Sequence, residues 1–190
     1  MGKRDNQSAE QILGNCFVLQ IIVSFILTAV LLIWSEDLLL AFGASENTIS
    51  YAVDYMHIYA IGTLFVQLTL GMNAFITAQG FTTTSMVSVL IGAICNIVLD
   101  PVFIFGFHMG VKGAALATIL SQGISMVWVI LFLCGKKTQI HLRTKYMRLE
   151  PKVILPCVAL GLAAFIMQAS ESIVSVCFNS SLLRYGGDIA

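Results

Sequence analysis

Charge is what this sequence has least of: ten Lys and Arg and ten Asp and Glu among 190 residues, or 11% of the chain, where a soluble domain carries about 25%. The balance gives no net charge, which excludes a basic face for nucleic acid or an acidic tail as the organising feature. No Walker loop, Gly-x-Ser-x-Gly elbow or His-Glu-x-x-His pair occurs, so ATP-driven pumping and membrane hydrolase chemistry have no support and the chain does not read as an enzyme. The five cysteines (Cys16, Cys95, Cys134, Cys157, Cys177) form no CxxC and no paired spacing, and are read as small residues of membrane helices. The apolar run after Lys3 and Arg4 is too long for a signal-peptide core and has no small-residue cleavage site, so removal is not expected.

What fills the space is hydrophobic residues, 58% of the chain. They fall in five blocks, near Ile12–Trp34, Tyr51–Ala78, Ser85–Phe107, Gly113–Cys134 and Val153–Phe178. A helix of about 22 residues reaches about 33 Å, enough to cross a hydrocarbon layer about 30 Å thick. Backbone groups in lipid need partners within their own segment, and the blocks are too long for barrel strands. The expected fold class is therefore an all-α, multi-pass membrane bundle of about five transmembrane helices.

Between the blocks lie turn and cap residues: Ser35-Glu36-Asp37, Ser45-Glu46-Asn47, Gln79 to Thr84, and His108-Met109-Gly110. The polar stretch 135–152 carries Lys136, Lys137, Arg143, Lys145, Arg148 and Lys152, which with Lys3 and Arg4 makes eight cations on one side against Lys112 and Arg184 on the other. The positive-inside rule places the N-terminus in the cytoplasm, and five spans place the C-terminus outside. Gly62, Gly71, Gly92, Gly113, Gly123 and Gly161 suit close helix approach where no water is being expelled. Trp34, Tyr51, Tyr55 and Tyr185 stand near block ends as interfacial anchors, and Met72, Met86, Met126 and Met167 read as packing.

Asp100 is the residue of most chemical weight, because a carboxylate inside a span costs about 2.5–3.5 kcal/mol unless it faces a polar cavity. Asn96 shares its face one turn earlier, and Pro101 frees the carbonyl of Ile97. A kinked helix presenting these oxygens suits Na⁺, or a carboxyl that carries H⁺. The competing reading is a solvated cap at the helix end, against which stand the apolar residues Phe103 to Phe107. Glu171, flanked by Gln168, Ser170 and Ser172, is expected to be a second buried acid facing a cavity, or else part of the polar stripe of an interfacial helix. Asp54 and His57, one turn apart at the outer boundary, are expected to pair at headgroup level, and His108 and His141 fall in loops without a ligand-spaced partner.

At Gly71–Gly80 (GMNAFITAQG), Asn96–Pro101 (NIVLDP) and Val111–Gln122 (VKGAALATILSQ), the chain resembles the multidrug and toxic compound extrusion family, and the likeness runs along nearly its whole length. The resemblance implies a two-lobed, twelve-helix transporter of which this chain is a fragment covering helices three to seven, opening with GKRDNQSAE in the loop after helix two. Residues 1–134 would be the later part of the first lobe, 135–152 a basic cytoplasmic linker, and 153–190 the first helix of the second lobe. The family's cation site falls on Asn96, Asp100 and Thr118, and its acid on helix seven on Glu171, as a coupling or substrate residue. The family also uses an acid on helix one, which this chain does not contain. The implied function is a plasma-membrane antiporter that exports drug-like cationic or amphipathic compounds in exchange for Na⁺ or H⁺. It would need no cofactor beyond that ion, no nucleic acid, and membrane lipid and the remaining helices as partners. The alternatives are a lipid-linked oligosaccharide flippase of the wider superfamily, or a membrane scaffold that transports nothing.

Overall fold

The computed structural model describes residues 6–42, 44 and 48–186, with backbone alone at 180 and 182–186. Lys3, Arg4, the turn Ser45-Glu46-Asn47 and the side chains of Arg184 and Tyr185 thus lie outside the described residues. Among the described residues every regular element is helical: α1 (Asn6–Ile33), α2 (Ser35–Ala41), α3 (Ile49–Ile61), α4 (Thr63–Ala78), α5 (Thr82–Pro101), α6 (Val111–Cys134) and α7 (Pro151–Gly186). A π-helical turn, Val102–Gly106, extends α5, and a single 3-10 turn, Thr144–Tyr146, lies in the polar stretch. Four of these runs are long and apolar enough to span a membrane, and α3 with α4 forms a fifth bent by 56°. The chain is a multi-pass membrane bundle.

Four spans pack on one another, α5 on α6, α1 on α4, and both α3 and α4 on α6. Glycine makes these approaches close. The Ser125 hydroxyl stands 2.6 Å from where a Cβ on Gly92 would lie, and the Phe103 backbone 2.9 Å from one on Gly113. Gly161 differs from the expectation, having nothing within 4 Å, because among the described residues α7 packs chiefly along α1 and leaves its middle exposed.

The apolar core sits at one end of the bundle, where Leu13, Met72, Ile76, Val129 and Leu133 are joined by Ile140 and Leu142 from the polar stretch. That end also holds the start of α1, since Glu10 pairs with His141 and Arg143. At the opposite end Lys112 meets Asp54 at 3.3 Å. The stretch 135–152 and the beginning of α1 thus share one face, as alternating spans require.

Candidate functional site

Asn96 and Thr118 come together in a groove of about 230 Å³ between α4, α5 and α6, walled by Thr69, Ser121, Gln122 and Ser125 on its polar side and by Leu70, Val89, Gly92 and Ala93 on the other. Asp100 does not line the groove. It lies one turn along α5, half-buried, where its Oδ1 accepts the Asn96 amide N–H at 3.3 Å. That bond uses the donor side of Asn96 and leaves its amide oxygen and one carboxylate oxygen without a partner among the described residues. Thr118 donates its hydroxyl to the Ala114 carbonyl at 3.0 Å, so its oxygen keeps a lone pair for a further donor or ion.

The helical run continues through the π turn to Gly106, so Asp100 stands more than a turn from the end of its span, in agreement with the apolar segment that follows it in sequence. The turn widens because Pro101 has no N–H to give to Ile97, and Phe107 then closes back on Val102 at 3.0 Å. The Asn96–Asp100 pair offers one carboxylate with a neutral amide oxygen, hard donors of the kind that suit a small cation or a proton. Among the described residues no three His, Cys, Asp or Glu side chains gather, so soft or transition-metal chemistry has no cluster to act through.

A polar chain missed in the sequence continues from this groove toward the other end of the bundle. Ser125 donates to the Ser88 carbonyl at 2.7 Å, and Ser88, fully buried, gives its hydroxyl to the Ser85 carbonyl at 2.7 Å and to Asn73 Oδ1 at 3.1 Å. Asn73 in turn donates to the Ser85 carbonyl at 3.3 Å, and Thr77 to the Ser85 hydroxyl at 2.8 Å. The available signal was helical spacing, with Asn73 and Thr77 one turn apart on α4 and Ser121 and Ser125 one turn apart on α6.

Other expected residues sit apart. Glu171 is exposed rather than buried, on a stretch of α7 that is exposed along nearly its whole length among the described residues. Asp54 and His57 do not pair: Asp54 takes Lys112, and His57 Nε2 lies 3.0 Å from the Ser35 hydroxyl, each partner coming from another element at the same end of the bundle. His141 does have a partner, in Glu10, 3.6 Å from its Nδ1. All five cysteines are free thiols, and Cys157 gives its S–H to the Val153 carbonyl at 3.3 Å.

The MatE family model matches residues 1–102, more than half of the sequence. The chain belongs to the MatE family. Its relatives include the multidrug export protein MepA of Staphylococcus haemolyticus, 26% identical over 186 residues, covering 98% of this chain and 41% of the relative. The protein of the same name from Staphylococcus saprophyticus is 27% identical, covering 80% of this chain and 34% of its own length. Among solved structures, a multidrug resistance MATE family transporter of the MOP superfamily, in an inward-facing conformation, superposes with a TM-score of 0.89 at 25% identity, covering 98% of this chain and 42% of that one. A MOP superfamily transporter from Pyrococcus furiosus, whose reversed binding-pocket polarity suggests a different function, matches with a TM-score of 0.87 at 26% identity and the same coverage of both chains. This MatE chain therefore spans about two fifths of the length of the proteins it matches.

Proposed function

We propose that the protein to which this chain corresponds is a secondary antiporter of the plasma membrane. It exports drug-like cationic or amphipathic compounds in exchange for Na⁺ or H⁺, and residues 1–190 supply part of the first lobe and the opening helix of the second. The observation that carries the reading is the Asn96–Asp100 pair beside the Thr118 groove, an acid with neutral oxygens well inside a membrane span. Membrane burial of a carboxylate marks an ion or proton pathway by default. In this reading Asn96, Asp100 and Thr118 hold the coupling ion, and Glu171 faces the opposite lobe. The division is 1–134, the basic cytoplasmic linker 135–152 and 153–190, with the N-terminus cytoplasmic and the C-terminus outside.

Fold alone does not choose the cargo, as the Pyrococcus relative's reversed polarity illustrates. The groove's lining has no Lys or Arg, which favours cationic cargo and coupling over the phosphate-bearing cargo of a flippase. In the full-length parent, Asp100→Asn abolishes export of a cationic dye from energised vesicles while leaving membrane insertion intact. Thr118→Ala raises the ion concentration needed for half-maximal export, a smaller effect because one neutral oxygen is lost rather than a charge. Undiminished dye export by Asp100→Asn would sink the assignment.

A further inference from the structure

The stretch between α6 and α7 has the composition of a loose tether, yet it is fastened along its length. Gln79, buried at the end of α4, accepts three hydrogen bonds on one amide oxygen: from the Thr138 hydroxyl at 2.6 Å, the Gln139 N–H at 2.9 Å and the Ile140 N–H at 3.0 Å. Glu10, buried on α1, accepts the His141 N–H at 3.2 Å and pairs with Arg143 Nε at 3.2 Å. Asn15, 1% exposed, takes the Glu150 N–H at 2.7 Å and is itself oriented by donating to the Gln11 carbonyl at 2.9 Å. Ile140 and Leu142 enter the core between these points, and the Tyr146 carbonyl oxygen lies against Gly14, 2.6 Å from where a Cβ would stand.

A connection acting as a hinge keeps its backbone groups solvated and its buried contacts few. Here three buried acceptors on α1 and α4 hold it instead. The buried fastenings end where α7 begins. Pro151 has no N–H, Pro156 inside the helix has none to give to the Lys152 carbonyl, and beyond Cys157 most of α7 is exposed, with the Asn179 amide on the Phe42 carbonyl at 3.2 Å near its far end.

We propose that residues 138–150 move as part of the first lobe, with Gln79, Glu10 and Asn15 as their fastenings, and that α7 swings from its first turns, Pro151–Cys157, rather than from the connecting stretch. The swing rests on the two-lobed transporter reading; the fastening does not.

Two measurements on the full-length parent, in nanodiscs of phosphatidylglycerol and phosphatidylcholine, separate the two. In hydrogen–deuterium exchange, the amides of 139–142 are protected in the wild type, and Gln79→Leu speeds their exchange by ~10-fold or more while α5 and α6 keep theirs. Asn15→Ala acts likewise on Glu150, as a second variant should Gln79→Leu fail to fold. Exchange at the free-chain rate in the wild type, or unchanged protection in both variants, overturns the fastening. Spin labels at Gln139→Cys and Thr83→Cys, in a background without native cysteines, keep one distance with and without Na⁺ and a cationic dye, whereas labels at Gln139→Cys and Leu160→Cys change theirs. A shifting first distance beside a fixed second one overturns the pivot. If neither distance moves, the pivot and the two-lobed transport reading both fail, and exchange still decides the fastening.

Discussion

Gly14 and Gly161 sit in membrane helices of one chain, and a methyl group added to each meets opposite surroundings. At Gly14 it would stand 2.6 Å from the Tyr146 carbonyl oxygen, a backbone atom that cannot withdraw without moving the fastened strap of residues 138–150, so Gly14→Ala is expected to destabilise by about 1–3 kcal/mol, the usual range for overpacking. At Gly161 nothing lies within 4 Å, and in this chain alone Gly161→Ala is neutral or stabilising by up to about 1 kcal/mol through helix propensity. Thermal melts of the detergent-solubilised chain check both, and equal melting temperatures for the two variants would contradict the close approach. The same contrast of surroundings separates the acids. Asp100 and Glu171 read alike in sequence as charges within apolar blocks, but only Asp100 finds an amide on its own helix face, and Glu171 stands on a face this chain leaves uncovered.

At the scale of elements, the five spans were legible because length and hydropathy decide them almost without reference to tertiary contacts. The bend between α3 and α4 was not. The block from Tyr51 to Ala78 is apolar throughout, and its break comes at Gly62, where the backbone lies against Ile119 of α6, a contact no local pattern announces. Nor was the strap legible, since the bonds from Gln79 and Glu10 reach across 59 to 61 and 131 residues of sequence. The oxygens of Asn96 and Asp100 were readable from one-turn spacing, whereas the groove beside them depends on three helices meeting. Pro101 tests how far α5's irregular end belongs to the site. Pro101→Ala restores an N–H to the Ile97 carbonyl and shortens or removes the π turn. The expected result is equal or greater thermal stability, with export in the full-length parent requiring more coupling ion. An unchanged ion dependence would show that the freed carbonyl and the widened turn take no part.

For the whole molecule, the two ends of the bundle differ in the charges they carry. One end carries Lys136 and Lys137 just after α6 and Arg143 and Lys145 beside the beginning of α1, with Glu10 as a buried counter-charge to Arg143, and the other presents Lys112 paired with Asp54 at 3.3 Å. Insertion retains Lys and Arg on the cytoplasmic side, and an ion-paired lysine at the opposite end adds little to that bias. The fastening of 138–150 adds to the asymmetry, because it holds Arg143 and Lys145 against that end of the bundle. An alkaline phosphatase reporter, active only outside the cytoplasm, joined after Lys137 is therefore expected to be silent in bacteria, and one joined after Gly110 active. Replacing Lys136, Lys137, Arg143 and Lys145 together by Gln weakens the bias and raises the activity of the first fusion. If that fusion is active in the unaltered chain, the orientation is reversed, and the direction of ion flow proposed for the Asp100 site reverses with it.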